Sequence, residues 1–178
     1  MTNRWTKGAK AAYTLVEILI VVLVLIIAAA IVIPSIGTAA DSQAVSAAQV
    51  MQSTLEAARS LALTTQAPHS VVFSPDLKSF KVVANYTGVP YASAVAVAHP
   101  VQVGKLFEIT PATMNGMSSV RITSAAFGEN LPYVSYVTFF SLGDPSASGS
   151  VTIQAGRTTM VVSVENLTGI ITVTRTAG

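Results

Sequence analysis

The side chains that could act as acids, bases, nucleophiles or metal ligands are few and far apart. His69 and His99 each stand beside a proline, Pro68 and Pro100, and neither falls in a metal-ligand or triad-like motif, so both read as loop histidines. Asp76 and Asp144 lie among turn residues, where aspartate serves by bonding its own backbone. Asp144 and Glu165 are too sparse and separated to hold a hard cation. With no cysteine, the chain has no disulfide, thiolate metal site or cysteine nucleophile. The two Asn-x-Thr triplets at Asn85 and Asn166 match the glycosylation acceptor pattern, which is common by chance. The expectation is a protein that is not an enzyme and uses neither metal nor cofactor. One acidic residue is different. Glu17 interrupts an apolar run: 16 consecutive apolar residues follow it, from Ile18 to Ile33, and Tyr13 to Val16 precede it. An ionised carboxylate at membrane depth costs about 3 kcal/mol or more unless it is paired or protonated.

The element that positions Glu17 is the run itself. At 1.5 Å per residue, about 20 apolar residues cross a hydrocarbon layer of roughly 30 Å. The sequence therefore predicts a membrane span. Arg4, Lys7 and Lys10 precede it and no basic residue follows until Arg59, which puts the amino terminus in the cytoplasm and the bulk of the chain outside. The whole chain has 10 basic and 8 acidic residues. Setting aside the first twelve residues leaves a formal charge of about −1, so the apparent basicity lies in the leader and implies little general attraction to nucleic acid or anionic lipid. A secretory signal peptide cut after Thr38-Ala39-Ala40 is the competing reading of this region. An acidic residue at the start of the apolar stretch and the length of that stretch both weigh against it.

The segment Ala12-Tyr13-Thr14-Leu15-Val16-Glu17 resembles the type IV prepilin cleavage motif. The resemblance implies that a membrane aspartyl prepilin peptidase cuts between Ala12 and Tyr13 and methylates the new amino terminus. Glu17 then becomes the fifth mature residue and Pro34 the twenty-second, positions where the family commonly carries those residue types. Ala12 stands where Gly is usual and Tyr13 where Phe is usual. In such filaments the helices pack parallel and staggered, so Glu17 of one subunit can meet the free amine of a neighbour at low dielectric. The leader blocks that pairing, because before cleavage Tyr13 has an amide where the amine must be. An isolated, protonated Glu17 without function is the plain alternative.

After Pro34, which is expected to kink the helix, small or apolar residues recur at Ile36, Ala40, Ala44, Ala48, Met51, Leu55, Ala58 and Ala62. These steps of three and four predict one face of an amphipathic helix reaching about Thr65. Glu56 and Arg59 are placed to pair at i, i+3. From Tyr13 the helix would be near 80 Å long if continuous, more than one domain can cover, so partner helices would cover the rest. A membrane anchor joined to an ordinary first helix needs no filament and is the competing reading. Gln66-Ala67-Pro68 ends the helix, and short strands between turn residues follow. They are expected at Ser70 to Ser74, Ser79 to Asn85, Val101 to Ile109, Ser119 to Thr123, Tyr133 to Phe140, Ser150 to Gln154, Thr158 to Val164 and Ile170 to Thr174. The first two flank a Pro75-Asp76-Leu77-Lys78 hairpin turn, and Tyr86 to Pro100 is left open. The fold class is α+β: a long amino-terminal helix packed on an antiparallel two-sheet domain of about eight strands.

Glu56-Ala57-Ala58-Arg59-Ser60-Leu61-Ala62, Phe139-Phe140-Ser141-Leu142-Gly143 and Val151-Thr152-Ile153 resemble the helix end, late phenylalanine with glycine turn, and late strand of the minor pseudopilin H family of type II secretion and its minor pilin relatives. This resemblance implies a leader over 1–12, a transmembrane half-helix over 13–36, an amphipathic half over 37–65 and a periplasmic β-rich domain over 66–178. It implies other pseudopilins or pilins as filament partners, and a bacterial inner-membrane protein that joins a periplasmic pseudopilus driving protein export. A minor type IV pilin, in pilus assembly or DNA uptake, is the runner-up. DNA-uptake relatives bind through arginines near a late glycine, whereas Gly169-Ile170-Ile171-Thr172-Val173 is uncharged and leaves Arg157 and Arg175 as the late cations. Nucleic acid is therefore not an expected partner.

Overall fold

The computed structural model describes residues 14–32, 35–128 and 134–176. They fall into two compact units, residues 1–36 and 37–178, each with its own internal packing. In the first unit, helix α1 (Leu15–Val32) contains neither glycine nor proline and begins where Thr14 caps it. The Glu17 amide donates to the Thr14 carbonyl at 3.0 Å and to Thr14 Oγ1 at 3.3 Å, one half of a Thr-x-x-Glu capping box. Every residue from Leu15 to Ile27 other than Glu17 is a large aliphatic side chain, 48–82% exposed. Apolar surface on all sides marks a helix made to be covered by lipid or protein. Among the described residues no helix is long and apolar enough to cross a membrane. The 18 residues of α1 rise about 27 Å, just under the roughly 30 Å of a hydrocarbon layer. The expected span over 13–36 also takes in Tyr13, Ile33 and Pro34, and the kink assigned to Pro34 lies outside the described residues.

Helix α2 (Ser35–Thr65) carries the alanine-rich stripe, and the second unit is built on it. Ala44, Ala48, Met51, Leu55, Ala58 and Ala62 are at most 1% exposed, as their spacing predicts, and Ala47 and Thr54 widen the buried face. Gln66 adopts a left-handed conformation (φ 53°) and its side-chain amide donates to the Leu63 carbonyl at 2.7 Å, which ends the helix.

Among the described residues, eight strands form two antiparallel sheets. The first contains β1 (His69–Phe73), β2 (Phe80–Ala84), β3 (Glu108–Ile109) and β5 (Tyr136–Phe139) in the order β3-β2-β1-β5. The second contains β4 (Arg121–Phe127), β6 (Gly149–Ala155), β7 (Thr158–Val164) and β8 (Ile171–Thr176) in the order β4-β6-β7-β8. The expected hairpin is present, with Phe73 opposite Phe80. Its turn is tied by Ser74 Oγ donating to Asp76 Oδ1 at 2.7 Å and the Lys78 amide donating to the same oxygen at 3.2 Å. These bonds, the serine hydroxyl's first, hold the Asp76 carboxyl below its ordinary pKa. Alternate residues of β6 and β7, Val151, Ile153, Met160, Val162 and Val164, face one core with the α2 stripe, Val71, Phe73, Val82 and Val137. Phe73 of one sheet stacks on Phe127 of the other at 6.1 Å, so an aromatic pair joins the two sheets. Gly149 lies opposite Phe127, and a Cβ there would strike the Ala126 carbonyl and the Phe127 ring.

Two expectations need correction. Of the strand expected over Val101 to Ile109 only Glu108–Ile109 pairs with β2. Residues 99–105 instead form a loop with Val101 81% and Val103 100% exposed. Val101 and Val103 have no sheet face to pack on. The strand expected to end at Thr123 runs on to Phe127, carried past an irregularity between Ile122 and Ser124. The expected start of β5 at Tyr133 lies outside the described residues.

The open stretch 86–100 has a clear role: its first part covers the outer face of the first sheet. Val72, Val83 and Ala94 are buried there with Tyr86, Tyr91 and Tyr136 packed against them, and Tyr86 meets Tyr136 edge-on at 5.0 Å. Tyr91 is fixed by its hydroxyl, which lies 3.0 Å from Ser79 Oγ and donates to Glu108 Oε1 at 2.9 Å. The Lys81 ammonium sits 4.1 Å from the Tyr91 ring centroid. Burial pushes the Tyr91 hydroxyl up to about 12, so it keeps its proton to donate at any physiological pH. β1 is consequently buried along its whole length.

The close seat of α2 generates a direct test. Ala48 is fully buried, so Ala48→Leu should cost about 1–3 kcal/mol by overpacking. Thermal unfolding should show the midpoint falling by roughly 2–4 °C per kcal/mol, while Gln49→Leu on the exposed side should leave it nearly unchanged.

Candidate assembly site

Of the residues marked by sequence, Glu17 alone is described; Ala12, Tyr13 and Pro34 lie outside the described residues. Glu17 occupies the third position of α1, where the helix dipole favours a negative charge. Its carboxylate lies on an exposed first turn among Leu15, Val16 and Ile18, and Thr14 is its hydrogen-bonding neighbour through the backbone. The Thr-x-x-Glu spacing was readable from sequence as a helix start. Locally, then, Glu17 stands in the turn that begins the helix, and its side chain is exposed.

A second arrangement was not foreseen. Arg59 does not pair with Glu56: its Nε donates to the Gly143 carbonyl and its Nη2 to the Thr168 carbonyl, both at 2.9 Å. Glu56 Oε1 accepts instead from Gln52 Nε2 at 2.9 Å. The guanidinium fork thus ties the end of α2 to the β5–β6 connection, which crosses from one sheet to the other, and to the β7–β8 turn of the second sheet. Glycines make the approach possible. A Cβ at Gly143 (φ 82°) would lie 3.2 Å from Arg59 Nε, and one at Gly169 (φ 63°) would lie 2.7 Å from the Gly143 carbonyl oxygen. Sequence reasoning found a local partner for Arg59, because only the tertiary fold brings in carbonyls 84 and 109 residues away.

At the other end of α2, Asp41 Oδ1 accepts from the Arg157 amide at 3.3 Å and Gln43 Oε1 from the Ser119 amide at 3.0 Å. The late cations are dispersed in role. Arg157 is exposed in the β6–β7 turn, and Arg175 Nη2 donates to Thr158 Oγ1 at 3.0 Å. His69 is not in a loop: it is 5% exposed at the start of β1, with Nδ1 2.9 Å from the Ala67 carbonyl. Among the described residues no group of three His, Cys, Asp or Glu is placed to hold a metal ion.

No protein-family model matches the chain, and no curated protein sequence does. Solved structures do. The minor pseudopilin EpsH from the type 2 secretion system of Vibrio cholerae superposes with a TM-score of 0.51 at 11% identity, over 74% of this chain and 96% of that one. The type IV minor pilin FimU of Pseudomonas aeruginosa superposes with a TM-score of 0.52 at 16% identity, over 75% of this chain and 89% of that one. The fold is pilin-like. At these identities the likeness is one of architecture: an amino-terminal helix and two antiparallel sheets of four strands. Within this pilin-like fold, two segments that carried the sequence resemblance, around Arg59 and around Gly143, meet in space at the guanidinium fork.

Removing the fork should loosen both turns at once. Arg59→Ala should cost roughly 2 kcal/mol, and hydrogen exchange should speed up at the Gly143 and Gly169 amides, which donate to Phe140 and Glu165. Arg59→Lys should not restore protection, since an ammonium cannot reproduce the two-pronged bond.

Proposed function

We propose that this chain is a minor pseudopilin of a type II secretion system, acting by assembly. In this reading prepilin peptidase cuts between Ala12 and Tyr13 and methylates Tyr13. The segment 13–36 holds the protein in the bacterial inner membrane as a single pass, with the β-rich domain in the periplasm. After extraction into a pseudopilus, Glu17 pairs with the amino terminus of a neighbouring subunit. The observation that carries the proposal is α1: a helix apolar on every side with one carboxylate in its first turn. Such a surface is incomplete alone, in lipid because of Glu17 and in water because of everything else. The prepilin-like motif before it supplies the missing amine. The likeness to EpsH supports the pseudopilin reading of the pilin-like domain.

The comparable likeness to FimU supports a second reading, a minor subunit of a type IV pilus. The two differ in the machine joined, not in how the chain joins it. Deletion in the native host separates them: loss of protein export with surface pili intact favours the first, loss of piliation with export intact favours the second.

The pairing itself is tested by Glu17→Ala. Processing should persist, while recovery in the sheared filament fraction should fall about tenfold or more, equivalent to at least about 1.4 kcal/mol of lost assembly energy. Recovery equal to the unaltered protein would remove Glu17 from the assembly mechanism.

A further inference from the structure

The loop at residues 99–105 is closed by a histidine in an unusual electrical setting. His99 Nδ1 accepts two backbone N–H groups, from Val101 and from Gln102, each at 3.1 Å. The base of the loop is fixed by the His99 amide donating to the Lys105 carbonyl at 2.8 Å, and the Lys105 amide donates to the Gln102 carbonyl at 3.1 Å. Gly104 (φ 78°) supplies the left-handed step that turns the chain back. The imidazole rests on the buried Phe107 ring, centroids 4.6 Å apart, and is itself only half-buried, so protons reach it. A ring nitrogen that accepts must carry no hydrogen, which places the single proton of the neutral ring on Nε2.

We propose that His99 is a pH-sensitive latch: neutral, it holds loop 99–105 closed, and protonated, it releases it. Adding a proton to Nδ1 turns the acceptor into a third donor aimed at two others. Both amide bonds are lost together, and the imidazolium finds no acceptor in their place. Among the described residues no carboxylate forms an ion pair with the His99 ring. The charged side chains on the strands that bracket the loop are Lys81 of β2 and Glu108 of β3, with Lys105 in the loop itself. Lys81 is turned onto the Tyr91 ring, and Glu108 accepts from the Tyr91 hydroxyl. Among the described residues the carboxylate ion pair is Asp76 with Lys78 at 3.4 Å, and His99 has none. The two amides that donate to Nδ1 therefore hold the loop closed around the neutral ring, and a proton on Nδ1 opposes that closure. His69 provides the contrast. Its Nδ1 faces a carbonyl, a bond that either charge state can donate. The latch governs how Val101 and Val103, the most exposed apolar side chains of this region, are held on the surface.

The test is amide hydrogen exchange resolved by residue on the full chain in detergent at pH 7.5 and 5.5, corrected for intrinsic rates. Protection at Val101 and Gln102 should fall about tenfold or more at the lower pH, while Val97 and Phe107, whose amides bond to Val82 and Val97, keep theirs. His99→Asn offers a side-chain oxygen to the same amides and should keep them protected at both values. His99→Leu should leave them unprotected at both. Equal protection of the unaltered protein at the two pH values would overturn the latch, and so would a fall in His99→Asn as large as in the parent, because another group would then be responsible.

Discussion

Helix α2 can lie against the two sheets because Ala44, Ala47, Ala48, Ala58 and Ala62 hold nothing larger than a methyl between its backbone and the strands. Met51 and Leu55 are the largest buried side chains of this face, midway along the seam. Everything else in the second unit follows from that seat. The Phe73–Phe127 stack can join the sheets only if both lie on one helix face, and the two glycine turns close over Arg59 only if the helix end comes within reach of their carbonyls. Small side chains bury little apolar area each, so close packing must carry much of the energy. A seam of this kind tolerates enlargement poorly.

This is also the part of the molecule most legible in the sequence. The stripe from Ala44 to Ala62 was readable because burial on a helix has a short, fixed period. The hairpin around Asp76 and the late strands β6 and β7 were readable because turns are punctuated by particular residues. What stayed hidden depended on contacts between distant segments. Valines around 101 read as a strand, but with no sheet face available they lie on an exposed loop. Tyr86 and Tyr91 gave no periodic signal, since their burial is on the outer face of a sheet made elsewhere. Arg59 was assigned to Glu56 by proximity in sequence, whereas main-chain carbonyls on two turns outcompete an exposed i, i+3 carboxylate worth only a few tenths of a kcal/mol.

The candidate site shows the same division. Glu17 stands out in sequence because a carboxylate in an apolar run demands an explanation, and its place at the third position of α1 adds a local reason for a negative charge. That local reason accounts for a helix start. It does not account for aliphatic surface on every side of the helix, which calls for lipid or neighbouring helices. The second unit has a pilin-like architecture.

Intact mass spectrometry of the protein extracted from the membranes of its native host tests the central claim most directly, because the proposed pairing of Glu17 depends on a free amine at Tyr13. If the chain is processed as proposed, the observed mass begins at Tyr13 and carries one added methyl group. A mass beginning at Met1, or at Asp41 after a signal-peptide cut, would contradict it.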